Sequence, residues 1–399
     1  MKIPIKKQIF GWSMYDFANT IFSALFITVY FPLFVVLKGG TPFHVGLVMS
    51  LSMLLAGLLV PTLGGVADIT QRKKLLLFMF TVLCCVFTFF TGFFGLLLVM
   101  VFGLLATFFF HASLDVYDAM LVNISTKRNI GFISGLGTAV GYLGTILSVA
   151  IAYIIGFFYG FESIQGIQIV FMVTALLFFG FSLFTFFLVK EISKIKIKKQ
   201  HFVEGFKRVI FTIKSIKKFR SLWVFLLASF LYADAANTAI IFLFLFAKDQ
   251  LGLSLVQFLP LYVIMAIAAV IGSLFFGKVT DKLGYKKTLT SVLILWILII
   301  LILYFKTTYS TFLLTGIVGG ALLGAIWTIT RPMLVELAPK AKIAELFGYQ
   351  GLTEKFSGLV GPILFGFIAV ALGFKQALLV VIALFLAGLV ALWFVKDKK

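Results

Sequence analysis

Charge is what this chain has least of. Only 14 of its 399 residues are acidic, and the four charged types together make up 12% of the sequence. A soluble domain carries about 25%. So few charges cannot clothe a water-facing surface, which excludes a soluble enzyme, a secreted disulfide scaffold and a disordered adaptor. Histidine (three) and cysteine (two) are also scarce. Cys84 and Cys85 are adjacent, a spacing that suits neither an ordinary disulfide nor a metal site, and they read as lipid-facing or packing residues. The sequence has no nucleophile motif, metal cluster or phosphate loop, and no loop outside the central linker is long enough for a catalytic domain. Neither enzymatic activity nor a cofactor is expected. What is abundant is apolar: 62% of residues, with a mean hydropathy of +1.16. The class this implies is all-α and integral to a membrane.

A spanning helix needs about 20 apolar residues. Cutting the chain at Gly/Pro turns and charge clusters predicts twelve spans: 9–37, 44–67, 75–91, 93–122, 130–156, 165–189, 221–247, 254–280, 288–305, 309–335, 344–372 and 375–395. The first run is too long for a cleavable signal peptide. The cut at Thr91-Gly92 demands a very short turn, but the two segments fused would be far too long for a bilayer.

The formal net charge of +20 would point to nucleic acid in a soluble chain. Here its placement matters more, and no nucleic-acid partner is expected. Lys38, Lys248, Lys306 and Lys375 are the four basic residues in one set of alternate loops. Arg331 and Lys355 fall inside spans, and the other 28 occupy the termini and the opposite loops. Positive residues mark the cytoplasmic side, so both termini are expected in the cytoplasm of a multi-pass protein of the cell (inner) membrane.

The longest polar stretch, Lys190 to Arg220, divides the spans six and six. Phe202, Phe206, Val209, Ile210 and Ile213 recur there at helical spacing, with lysines and arginines mostly elsewhere around the wheel. That is a basic amphipathic helix suited to anionic lipid at the inner surface. The expected organisation is an N-terminal bundle 1–190, a linker 191–220 and a C-terminal bundle 221–399.

The two halves repeat. Asp16-Phe-Ala-Asn19-Thr20 recurs as Asp234-Ala-Ala-Asn237-Thr238. Gly64-x3-Asp68 followed by Arg72-Lys73-Lys74 recurs as Gly277-x3-Asp281 followed by Lys286-Lys287, and Met120-Leu-Val as Met333-Leu-Val. The offsets are 218, 213 and 213 residues. Two duplicated six-helix units related by a pseudo-twofold, joined by a cytoplasmic loop, describe a rocking transporter with its site between repeats. The Gly-x3-Asp-x4-basic-basic loop resembles the signature of the major facilitator superfamily, which implies the twelve-helix fold of that name. Its glycine permits close helix approach, its aspartate can cap or pair with a neighbouring helix start, and its cations hold the inner surface. Gly64, Asp68, Arg72, Lys73, Gly277, Asp281 and Lys286 are therefore gating candidates.

A narrower likeness rests on four stretches. Trp12-Ser-Met-Tyr15-Asp16-Phe-Ala18-Asn19 resembles the first-helix motif W-x-x-Y-D-W-A-N of the vacuole-effluxer-like, or unknown-major-facilitator, family. Ser134-Gly135-Leu-Gly137-Thr-Ala-Val-Gly141-Tyr142-Leu-Gly144 is similar to its fifth-helix run, and Ala344-Glu345-Leu-Phe347-Gly348-Tyr349 with Gly361-Pro362 to its eleventh-helix pattern. Asp115-Val-Tyr117-Asp118-Ala119 is like its fourth-helix motif, with Asp118 where the family has Asn. The resemblance implies secondary transport, with amino-acid efflux the role associated with eukaryotic members.

Ionisable residues inside spans are costly and functional by default. Here they are Asp16, His111, Asp115, Asp118, Asp234, Arg331, Glu354 and Lys355. His111, Asp115 and Asp118 share one helical face, where they could relay protons, bind a cation or pair with Arg331 or Lys355. Glu354 lies twelve residues past Lys342, about 18 Å at helical rise, and is the first coupling candidate, with Asp234 second and Asp118 third. Five carboxylates against two cations require some to be protonated, to hold a cation or to receive a cationic solute group. Asn19, Asn237 and Tyr142 can add neutral hydrogen bonds. The expected function is transport of a small polar or zwitterionic solute by a monomer in contact with membrane lipid, with H+ as coupling ion. A lipid or lysolipid flippase on the same fold, or a non-transporting receptor or scaffold, are the alternatives.

Overall fold

The computed structural model describes residues 4–70, 72–125, 130–190, 220–337 and 357–395. These residues form helices and short turns, with no strand among them. Among the described residues, eleven helices are long and apolar enough to cross a membrane, and a shorter apolar helix adds to them. In chain order they are α1 (Ile5–Leu37), α2 (Pro42–Thr70), α3 (Lys73–Thr91), α4 (Leu96–Ile124), α5 (Ile130–Tyr159) and α6 (Ile164–Leu188). The second set is α7 (Arg220–Leu251), α8 (Leu255–Leu283), α9 (Tyr285–Phe305), α10 (Tyr309–Leu337), α11 (Gly361–Leu372) and α12 (Phe374–Trp393). The expected eleventh span started at 344; its part before residue 357 lies outside the described residues, as does the linker amphipathic helix.

The helices run apolar all round because their outer faces meet lipid. Leu97, Phe157, Phe187, Phe305 and Trp393 are exposed large apolar residues, a pattern that would be untenable in water. The inner faces are aromatic and small. Cys84 and Cys85 are both buried, so they pack rather than face lipid.

The short turn after Thr91 forms where the sequence demanded one. Gln168 Nε2 donates to the Gly92 carbonyl at 2.9 Å and ties that turn to α6. The first span is not a uniform α-helix: Ser23–Tyr30 is π-helical. Its wider turn brings Phe26 and Phe31 face to face at 5.1 Å, continuing a stack that starts with Phe22 and Phe26 at 4.9 Å. Residues five apart stack only when the turn is wider than 3.6 residues. Glycines with φ of 84° at Gly284 and 96° at Gly373 turn the chain at the ends of α8 and α11.

The chain divides into two compact units, Met1–Phe34 with Leu51–Ser215, and Val35–Ser50 with Ile216–Lys399. The bundle boundaries expected from sequence kept residues 35–50 with the first half. They group with the second because Pro42, Phe43 and Gly46 pack against Pro362, Ile363 and Gly366 of α11. Within the units the helix pairing repeats. In the first, α1 packs on α5 and α6, and α3 packs on α4 and α6; in the second, α7 packs on α11 and α12, and α9 on α10 and α12. The duplication read from the motifs is thus a duplication of packing.

Candidate functional site

Each copy of the repeated Asp-x-x-Asn-Thr sequence lies against a glycine-bearing helix of its own unit, but the two copies are built differently.

In the second unit Asp234 is wholly buried in the middle of α7. Its Oδ1 accepts from Gly358 N–H at 2.8 Å and Gly361 N–H at 3.1 Å. Its Oδ2 accepts from Val360 N–H at 3.2 Å and Gly361 N–H at 3.0 Å. These donors begin α11, where Pro362 sits in the first helical turn as a residue with no N–H to satisfy. The first N–H groups of a helix have no intrahelical partner, and the macrodipole places partial positive charge there. Asp234 therefore serves as a carboxylate cap supplied by another helix. Thr238 Oγ1 donates to the Asp234 carbonyl at 2.7 Å, and Asn237 Nδ2 to Ser357 Oγ at 3.4 Å. A Cβ at Gly361 would collide with Thr238 Oγ1 and stand 2.7 Å from Asp234 Oδ1, so this approach needs glycine.

In the first unit α5 runs unbroken through Ile130–Tyr159 and offers no free helix start. Asp16 is half-buried and accepts from Asn19 Nδ2 at 3.2 Å. Asn19 is buried, and Thr20 Oγ1 donates to the Asp16 carbonyl at 2.7 Å, as Thr238 does to Asp234. Gly137 faces Asp16 Oδ2 and Trp12, Gly141 faces Thr20 Oγ1 at 2.8 Å, and Gly144 faces the Phe17 carbonyl. Small residues on α5 let the carboxylate-bearing face of α1 come against it. Behind this, Trp12 stacks on Tyr117 at 4.5 Å and Tyr15 on Tyr117 at 5.0 Å. Trp12 Nε1 donates to the Tyr117 carbonyl at 3.2 Å, and Tyr15 Oη lies 2.7 Å from Thr81 Oγ1. Asp16 lies half-buried beside this aromatic wall.

The other predicted residues are dispersed. Tyr142 is half-buried on α5. On α4, His111 is half-buried and Asp118 exposed, and the Asp115 side chain lies outside the described part. No group of three or more His, Cys, Asp or Glu able to hold a metal occurs among the described residues. The Arg331 side chain on α10 is likewise outside, as are Glu354 and Lys355 altogether. Of the gating set, the side chains of Gly64, Asp68 and Asp281 are not described, and Arg72 and Lys73 are half-buried at the start of α3. Gly277 makes ordinary contact with Thr328. Lys74 Nζ donates to the Val189 carbonyl at 3.1 Å, closing α6; Lys286 Nζ donates to the Trp393 and Val395 carbonyls at 3.4 and 2.5 Å, closing α12. The basic residues of the repeated loop thus neutralise the negative ends of the sixth and twelfth helices. Thr20, Thr238, Gly358 and Gly361 were absent from the predicted site. The two threonines stood inside the repeated motif, and their matching position was the available signal.

Known proteins share this architecture. Residues 123–399 match the model of a family described as vacuole effluxer Atg22 like. The chain is 27% identical to the MFS-type transporter YxiO of Bacillus subtilis (strain 168), over 98% of this chain and 95% of that one. Among solved structures it superposes on the nucleoside transporter NupG with a TM-score of 0.73 at 18% identity, covering 98% of this chain and 100% of that chain. It also superposes on a bacterial homolog of the human lysosomal transporter Spinster, inward-facing and unoccupied, with a TM-score of 0.73 at 12% identity, covering 99% and 98%. The fold is that of the major facilitator transporters.

Proposed function

The chain belongs to the vacuole effluxer Atg22-like family, and from that premise we propose that this membrane transporter of the major facilitator type is a secondary active carrier of a small polar or zwitterionic, amino-acid-like solute. It works by rocker-switch alternating access, drives the solute with protons, and sits as a monomer in the inner membrane with both termini cytoplasmic. The 28-to-4 division of loop cations supports that orientation.

One observation carries the mechanistic reading: the duplicated aspartates are not equivalent. Asp234 is enclosed and its oxygens are engaged by three backbone N–H groups. Asp16, at the matching place, is half-buried beside Asn19 and Thr20. A carboxylate with part of its surface open can take a proton or the ammonium group of a zwitterion as the cavity changes sides; a carboxylate locked on a helix start cannot do so without unlocking the helix. We therefore assign Asp234 to positioning and Asp16 to the solute or its proton. Glu354, the deepest carboxylate on the cytoplasmic count, is the second member, and Arg331 or Lys355 supplies the cation for the solute's carboxylate.

The test starts from a thermal-shift screen of amino acids, other zwitterions and lysolipids on the purified protein. The solute that stabilises it is then followed in proteoliposomes with an imposed pH gradient. Wild type should accumulate it. Asp16→Asn and Glu354→Gln should lose accumulation but keep counterflow exchange, which moves no net proton. If both variants accumulate solute normally, these carboxylates do not couple, and sodium coupling or facilitated diffusion becomes the better account. Stabilisation by lysolipids alone would favour the flippase.

A further inference from the structure

The starts of α2 and α8 are built on one plan. At α8, Ser254 is the N-cap, and Gln257, three residues on, closes the reciprocal half of a capping box. Its Oε1 accepts from the Ser254 backbone N–H at 3.0 Å and lies 3.0 Å from Ser254 Oγ. At α2, Thr41 precedes Pro42, and its carbonyl accepts from His44 N–H at 2.9 Å and Val45 N–H at 3.3 Å. His44 Nδ1 accepts from the Thr41 backbone N–H at 3.1 Å and lies 2.9 Å from Thr41 Oγ1. Thr41 and Ser254, like His44 and Gln257, are 213 residues apart, the offset already found for Asp68 and Asp281. Both copies of the duplication keep the reciprocal half of the box, in which the side chain three residues on accepts from the capping residue's backbone N–H, but one uses an amide as its acceptor and the other an imidazole.

The difference is chemical. A backbone N–H can only donate, so Nδ1 must offer its lone pair; the ring is then neutral, with its hydrogen on Nε2. An amide oxygen accepts at every ordinary pH. Histidine as a side-chain type takes its second proton between about pH 5 and 8. A proton on Nδ1 would set donor against donor and put positive charge in the first turn of a helix, where the macrodipole opposes it. We infer that the Thr41–His44 box is a pH-sensitive cap on α2, intact with the imidazole neutral and released by acid, whereas the Ser254–Gln257 box is its fixed counterpart.

The segment so held makes the close contact with α11 in its unit. Gly366 faces the Pro42 carbonyl and Gly46 the Pro362 carbonyl, each too close for a Cβ, and the Phe43 and Phe367 rings meet edge-on at 6.4 Å. Release of the cap therefore loosens the seat of α2 on α11. Around the imidazole, Phe43 stands edge-on at 6.1 Å. Gly361–Leu372 contains no ionisable residue, the preceding loop contributes Lys38, and Lys375 at the start of α12 lies over the Tyr304 ring at 5.5 Å. None of these segments contains a carboxylate to hold the imidazolium in place.

Hydrogen exchange on the purified full-length chain tests this without reference to solute, direction or orientation. After correction for intrinsic rates, protection of the Thr41–Val45 amides should fall about fivefold between about pH 8 and pH 5, the effect of losing one capping hydrogen bond. Protection at Ser254–Phe258 should stay level. His44→Gln, which copies the second unit, should flatten the response at Thr41–Val45, and Gln257→His should create one at Ser254–Phe258. A level profile in the wild type, a pH response that survives His44→Gln, or a level profile at the grafted histidine would each overturn the inference.

Discussion

Adding one methyl group at Gly361 should unseat α11. The Cβ of Gly361→Ala would overlap Thr238 Oγ1, stand 2.7 Å from Asp234 Oδ1 and meet Leu384 Cδ1 at 3.1 Å. The first two cannot retreat easily: Asp234 is held from both oxygens, and the Thr238 hydroxyl is bonded to the Asp234 carbonyl. Overpacking a tight contact costs about 1–3 kcal/mol. A shift of α11 large enough to relieve it stretches the Gly361 N–H bond to a carboxylate, worth about 1.5–3 kcal/mol. The sum is about 4 kcal/mol, offset by about 1 kcal/mol because alanine is the better helix former. A net loss of about 3 kcal/mol should lower the melting temperature of the detergent-solubilised protein by about 6–12 °C on the scale of a 150–250-residue domain. Gly180→Ala on α6 is the control, since nothing lies within 4 Å of its added Cβ; it should be neutral or stabilising by up to about 1 kcal/mol. Thr238→Ala should rescue part of the Gly361→Ala loss, because the nearest obstacle is the hydroxyl. An unchanged melting temperature for Gly361→Ala, or an equal fall for Gly180→Ala, would refute the reasoning.

Two further outcomes follow from the repeat and the charge pattern. Cysteines introduced at Gly39 and Lys306 should label from outside sealed cells while one at Lys198 should not; labelling at Lys198 sinks the proposed orientation. On the proposed gating role of the repeated loop, Asp68→Asn should slow or bias alternation with the fold intact, since loss of a charge contact specific to one state shifts the balance between states, and unchanged transport with unchanged accessibility on both sides would take Asp68 out of the mechanism.

The spans, their number and the duplication were legible in the residues themselves. Hydropathy is a property of each segment alone, since a lipid-crossing helix must be apolar whatever it packs against. The repeated Asp-Asn-Thr and Gly-Asp-basic motifs needed only alignment of the chain with itself. The capping box at Ser254 was equally readable as Ser-x-x-Gln ahead of an apolar run; its partner at Thr41 was hidden because histidine takes the place of Glu or Gln.

Tertiary structure alone separated Asp16 from Asp234. In sequence they hold matching places in a repeated motif, and Asp234 rather than Asp16 ranks among the coupling candidates. The difference comes from helices well over a hundred residues away: α5 continues past Asp16 with its N–H groups already bonded, whereas α11 begins beside Asp234 with its first N–H groups open. Backbone N–H donors are alike at every position except proline and carry no letter of their own. Only where a helix starts, and what stands next to that start, makes them a site. The same holds for Pro42–Ser50, whose membership in the second unit rests on close backbone contacts to α11 that no local pattern encodes. Composition and periodicity therefore determined which segments cross the membrane and how often the plan recurs. Packing decided which of two matching carboxylates is enclosed on a helix start and which is only half-buried.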